Sequence, residues 1–257
     1  MMYTISDVIA SRSPQNVMDG DQYVLGILSR EFYFLCKRCF DVVVSSLLLL
    51  ILSPLILVIA ILITLDSPGP AIFIQKRVGA RRHWSNGSPR IEVRPFDFFK
   101  FRTMYCNSGD KNHREFIEAY IRNDLERMAQ LQSGCATGSL KYKLNGDRRV
   151  TRIGKFLRKS SLDELPQLWN ILIGDMSLVG PRPPIPYEVE MYDLWHRQRL
   201  ETIPGLTGLW QVEARSSCSF DEMARLDIQY IEKQSFWLDL KILFLTPLAV
   251  LTAKGAE

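Results

Sequence analysis

The chain has 257 residues, 47% of them hydrophobic and 23% charged, and a net charge of +4. That length suits one good-sized domain with its own core, and so small a charge, with no aromatic-rich recognition motif, excludes nucleic acid as the expected partner. The five cysteines (Cys36, Cys39, Cys106, Cys135 and Cys218) are odd in number and irregularly spaced, which excludes a regular disulfide framework and suits a reducing cytoplasmic setting; the lone Cys36-x-x-Cys39 has no second ligand pair to complete a zinc site.

In chain order, residues 1–30 are polar and mixed, a flexible or loosely helical extension. A helix beginning near Glu31 runs through "FYFLCKRCFD" into "VVVSSLLLLILSPLILVIAILITL" (42–65), which carries no charge. That run is long enough to cross a bilayer, and no small-residue cleavage pattern marks it as a signal peptide. Two features oppose a simple span. Ser53-Pro54 sits near its middle, where proline removes a backbone donor and clashes with the preceding turn. Basic residues flank both ends: Lys37 and Arg38 before it, Lys76, Arg77, Arg81 and Arg82 after it. A positive-inside bias then favours the same side for both flanks, as in a re-entrant hairpin, and such clusters attract anionic lipids. Composition alone leaves spanning and re-entrant forms both open.

After the turn "DSPGP", "AIFIQKRV" and "FDFFKFRTM" (96–104) read as strands of a hairpin or small sheet. The stretch between them reads as loop, with Asn86-Gly87 as a turn. Residues 113–132 read as one amphipathic helix on the spacing of Phe116, Tyr120, Leu125, Met128 and Leu131. "SGCATGS" interrupts the chain, and a further helix is expected over 185–200. The tail "SFWLDLKILFLTPLAVLTAKG" suits a membrane interface better than a span. The expected class is α+β, mostly helical.

The stretch "SSLDELPQLWNILIGDMSLVGPRP" (160–183) raises the main question of chemistry. Ser161-x-x-Glu164 matches a capping box, and acids are favoured in a first helical turn. Pro166 opposes that reading, because with Ser161 as cap it would be the fifth helical residue, where its missing N–H and its ring would damage the first turn. A start at Asp163 or Glu164 accommodates it better and places both acids at a helix mouth. Arg158, Lys159 and Arg182 lie close in sequence, and arginine binds phosphate through paired hydrogen bonds. Carboxylates and arginines together suit a Mg²⁺-bound phosphoryl group.

The stretch "TRIGKFLRKSSLDELPQLWNILIGDMSLVGPRP" resembles the signature of the bacterial sugar transferase family, the monotopic polyprenyl-phosphate phosphoglycosyl transferases. The apolar segment with its flanks, "FKFRTM" and "PGLTGLWQV" extend the resemblance over about residues 35–247. It implies transfer of a phosphosugar from a nucleotide diphosphate sugar, expected to be a UDP-sugar, to undecaprenyl phosphate at the cytoplasmic face of a bacterial inner membrane. By motif match, Asp163 is the implied nucleophile and a Mg²⁺ ligand, and Glu164 assists. Lys100, Arg158, Arg182 and Arg215 are the implied phosphate- or substrate-binding residues. Lys37 and Arg38 mark the point where the chain meets the membrane, and Ser53 and Pro54 the break of a re-entrant helix. The implied organisation is an extension (1–30), a membrane-inserted segment (31–66) and a cytoplasmic catalytic domain (67–257), with anionic lipids and a second copy of the chain as further partners. "QVEAR" departs from the family pattern, which carries glycine before the arginine; Ala214 restricts the backbone there. The alternative from another class is a catalytically silent scaffold that recruits glycan-assembly enzymes. A soluble glycosyltransferase is disfavoured by the apolar run and the lack of a Rossmann-type glycine fingerprint.

Overall fold

The computed structural model describes residues 20–85, 88–106, 111–131, 149–214 and 218–251. The chain divides into two compact units, Met1–Lys37 and Arg38–Glu257. Helix α1 (Gly20–Asp66) has its start in the first; there the Lys37 ammonium lies 6.0 Å from the Tyr33 ring centroid. The helix thus begins ahead of the Glu31 expected from composition.

Ser53 and Pro54 lie within α1 rather than between two helices. Proline removes one backbone donor, but helical bonding resumes on both sides, a tolerance common in apolar helices. The Ser53 hydroxyl donates to Leu50 O at 2.8 Å. Phe40, Val44, Leu48 and Leu52 recur every four residues and pack on one core; Ile56, Ile59, Ala60 and Ile63 pack on another. The opposite face stays bare: Leu50, Ile51 and Leu65 are 73%, 68% and 77% exposed. α1 contains the stretch long and apolar enough to cross a membrane. So large an apolar face is expensive in water and marks a membrane-associated surface.

Strands β1 (Ile72–Ser85) and β2 (Ser88–Phe101) form one long antiparallel hairpin. The region expected as loop is paired strand up to Ser85↔Ser88; Asn86-Gly87, expected as a turn, lies outside the described residues. Arginines there hid the strands because charge on an exposed strand carries no apolar alternation. The single helix expected over 113–132 is two, α2 (Lys111–Ile121) and α3 (Leu125–Leu131). Asn123 takes φ 55° between them, a left-handed residue that no helix continues through.

Next come α4 (Arg152–Ser160), a 3₁₀ turn (Leu162–Glu164), α5 (Gln167–Ile173) and β3 (Ser177–Val179). The helix expected over 185–200 is a short α6 (Pro186–Glu190) and a separate 3₁₀ turn (His196–Leu200). β4 (Gly205–Thr207) pairs in parallel with β3. Helices α7 (Leu209–Glu213), α8 (Phe220–Glu232) and α9 (Phe236–Leu251) complete the fold. The result is mostly helical with two small sheets, consistent with α+β.

The central core joins Phe96 and Phe98 of β2, Leu168 and Ile171 of α5, Leu178 and Val179 of β3, and Tyr230 and Ile242 of α8 and α9. The segments "VGPRP", from the end of β3, and "PGLTG", which contains β4, meet backbone to backbone. A Cβ on Gly205 would fall 2.0 Å from Gly180 N, so only glycine permits the contact. α9 leaves Trp237 and Phe244 80% and 81% exposed, as an interfacial helix does.

Candidate active site

The acids lie in a sharp corner between two helices. Thr151 caps the start of α4 by accepting from Gly154 N at 2.9 Å. Ser161 ends α4 with φ 57°, and its side chain makes no capping bond. The capping-box reading therefore fails here. The expected start at Asp163 or Glu164 is also corrected: α5 begins at Gln167, with Pro166 just outside it. There the missing proline N–H costs nothing. Asp163 and Glu164 occupy the 3₁₀ turn ahead of the helix.

Three elements bring cations to these acids. Arg182, in the loop after β3, donates from Nη1 to Glu164 Oε1 at 2.9 Å. Arg158, in the last turn of α4, donates from Nε to Thr103 Oγ1 at 2.9 Å. Lys100, on β2, is half-buried, with its ammonium 5.6 Å from the Phe73 ring centroid. Burial lowers its pKa to about 8; Asp163 opposes that, and Arg158, Arg77 and Arg182 reinforce it. Burial pushes the Asp163 carboxyl up to about 6, and Glu164 beside it adds to the rise. Lys100, Arg158 and Arg182 hold it down from there. The site is thus a buried carboxylate in a field of fixed positive charge. Such a field stabilises phosphoryl oxygens, while burial strips water from the carboxylate.

Of the residues expected at the site, Lys100, Arg158, Asp163, Glu164 and Arg182 converge. Arg215 lies outside the described residues. Lys37, Arg38, Ser53 and Pro54 belong to α1; Arg38 donates to Ile171 O and Leu172 O at 2.6 and 2.8 Å.

Arg77 is a site residue that sequence reasoning placed in a lipid-facing cluster instead. Phe73 pairs with Lys100, and alternation puts Gln75 and Arg77 on the same face of the hairpin. Arg77 donates to Gln75 Oε1 at 3.1 Å and to Pro183 O at 2.9 Å. The hairpin register was the missing signal. Arg77, Arg182, Glu188, Arg199 and Trp210 line an adjoining narrow cleft, partly open to solvent. Burial raises the Glu188 carboxyl, against the pull of Arg77, Arg199 and Arg182. Deeper still, Arg199 grips Asp227 at 3.0 and 2.6 Å.

Among the described residues no group of three or more His, Cys, Asp or Glu side chains gathers to hold a metal. The pair Asp163 and Glu164 is not a cage. It does fit Mg²⁺, which takes one or two carboxylates and completes its shell with water and substrate phosphate.

A sequence profile described as "Bacterial sugar transferase" matches residues 32–253. The chain is 42% identical to a galactosyl transferase, CpsE, of Streptococcus agalactiae serotype III, over 95% of this chain and 49% of that protein. It is 40% identical to the undecaprenyl-phosphate galactose phosphotransferase of Salmonella typhimurium, over 86% of this chain and 41% of that protein. With the UDP-glucose:undecaprenyl-phosphate glucose-1-phosphate transferase of Caulobacter vibrioides it shares 39% identity, over 90% of this chain and 75% of that protein. The chain thus spans about half or less of the first two relatives. The acid turn, its converging cations and the matched length carry one conclusion: the chain belongs to the bacterial sugar transferase family.

Proposed function

We propose that this chain is a polyprenyl-phosphate phosphoglycosyl transferase that moves a phosphosugar from a nucleoside diphosphate sugar to undecaprenyl phosphate. The observation that carries the reading is Asp163, a buried carboxylate facing Lys100, Arg158 and Arg182. An Asp163 oxygen attacks the sugar-bearing phosphorus. The bond from that phosphorus to the bridging oxygen breaks, and the nucleoside monophosphate leaves with the electron pair. A phosphate oxygen of the lipid then attacks the aspartyl phosphosugar, which releases the lipid diphosphosugar and restores the carboxylate. Dividing one displacement into two lowers each barrier. Arg158, Arg182 and Lys100 hold the phosphoryl oxygens, and Glu164, kept in place by Arg182, faces the acceptor. Asp163 would hold Mg²⁺, which would supply charge neutralisation on the diphosphate.

A monotopic, re-entrant placement on the cytoplasmic face of the inner membrane fits this chemistry, because a soluble donor and a lipid acceptor must meet at the headgroups. Its support is that both ends of the apolar run bond to one folded unit: Arg38 to Ile171 and Leu172, and Asp66 Oδ2 to Ile153 N at 3.2 Å. A helix crossing ~30 Å of hydrocarbon would separate its ends onto opposite faces.

The test incubates purified protein with undecaprenyl phosphate and a panel of labelled nucleotide sugars, with and without Mg²⁺. Lipid-linked product from the parent and none from Asp163→Asn is the expected result. Full turnover by that variant would end the nucleophile assignment. Single cysteines placed before and after 42–65 should label from the same side.

A further inference from the structure

Thr103 follows β2 and is buried, at 2% exposure. It touches α4 at both ends. Its carbonyl accepts from Thr151 N at 3.0 Å, and Gly154 packs so close to it that a Cβ there would lie 2.2 Å from that oxygen. Its hydroxyl reaches the other end of the helix and accepts from Arg158 Nε at 2.9 Å. Gly154 and Arg158 are four residues apart, on one helix face. The backbone of Thr103 therefore seats the first turn, and its side chain grips the last.

A buried hydroxyl commonly needs no role beyond being satisfied. Here its partner is a cation that, like Arg182, acts on both Asp163 and Lys100. A bond at Nε, inside the planar fork, fixes the plane of the guanidinium and so directs its terminal nitrogens as a pair. We propose that Thr103 is a positioning residue for phosphosugar transfer, its hydroxyl setting the Arg158 guanidinium against the transferring phosphoryl group. This rests on the reading of the Asp163 pocket given above.

The test is a double-mutant cycle on purified full-length protein, reading kcat and KM for whichever nucleotide sugar the parent turns over. Thr103→Val keeps the shape and deletes the hydroxyl; Thr103→Ser keeps the hydroxyl. Thr103→Val should lower kcat by about 10- to 100-fold, the scale of a misplaced group, and Thr103→Ser should restore most of it. All these variants retain the carbonyl that seats α4, and thermal melting verifies folding. If valine does not fold, Thr103→Ala enters the same cycle. Combined with Arg158→Ala, the loss of the hydroxyl should add nothing further, because the group it acts through is gone. Two results overturn the proposal alone: serine no better than valine, or a hydroxyl effect that persists in full without Arg158. Parental turnover by Arg158→Ala would overturn the pocket reading, and the proposal with it.

Discussion

The chain writes almost the same four residues twice. Ser161-Leu-Asp-Glu164 holds the acids of the pocket; Ser219-Phe-Asp-Glu222 opens α8. At the second, Ser219 is extended (φ −67°, ψ 164°) and the capping box is complete. Ser219 N donates to Glu222 Oε2 at 2.8 Å, and Glu222 N donates to Ser219 Oγ at 3.3 Å. At the first, Ser161 is left-handed and caps nothing with its side chain, while Glu164 turns to Arg182. The difference lies downstream. Met223 and Ala224 continue a helix, whereas Leu165-Pro166 cannot, since proline as the fifth helical residue costs a bond and a clash. One pattern thus serves stability in one place and leaves its acids available for chemistry in the other.

Exchanging the amides across the pair should separate the two roles. Asp163→Asn should cut turnover by at least about 1,000-fold, the scale of losing a nucleophile, in the lipid-product assay. Asp221→Asn, at the equivalent position, should keep turnover, because an asparagine Oδ1 can still accept from His196 Nε2 and only the charge is lost. Equal losses at both aspartates would erase the contrast. Glu164→Gln should lower turnover by about 100-fold or more, as expected for a removed general base. Glu222→Gln should leave turnover unchanged and lower the melting temperature.

The pH profile sharpens the contrast further. As the proposed nucleophile, Asp163 must be ionised, so activity should fall as pH drops through about 6. In its proposed role of holding phosphate, Lys100 must be charged, so activity should fall again as pH rises through about 8. Stability runs the other way at Asp163. Its carboxyl titrates higher in the folded chain than its ordinary 3.8, so the folded state prefers the protonated form. That contribution is present below the ordinary value and is lost as pH rises through about 6. Asp163→Asn should therefore melt above the parent at pH 7 and level with it below pH ~3.8. A variant that melts lower at neutral pH would show that the charge helps hold the fold. The smallest effect belongs to the serines. Ser219→Ala should cost about 1 kcal/mol in denaturant unfolding, the usual cost of a lost N-cap. Ser161→Ala should cost less.

Much of this was legible in the sequence, for identifiable reasons. The uncharged 42–65 run announces its helix, and Pro166 alone argues that the two acids do not cap. Arg158 and Arg182 are found because they lie near the acids along the chain. Arg77 and Thr103 are not found, because only the hairpin register and the seating of α4 bring them near. The parallel pairing of Ser177–Val179 with Gly205–Thr207 is equally hidden, since strands of three residues carry too little periodicity to read. At Asn123 a left-handed residue divides two helices whose apolar spacing runs on across it.

The two bonds that α1 sends to the folded unit have a mechanical consequence. Asp66 holds the start of α4 and Arg38 the end of α5, the two helices that bracket the acid corner. The number of residues between them therefore works as a gauge. One residue inserted near Pro54 would turn everything beyond it by about 100°, swinging Ile59, Ile63 and Asp66 off their seats while Arg38 stays. Seven inserted residues, close to two full turns, would restore the facing but push the two anchorages about 10 Å further apart. The greasy segment thus does more than hold the protein at a bilayer: its length is part of the specification of the acid corner.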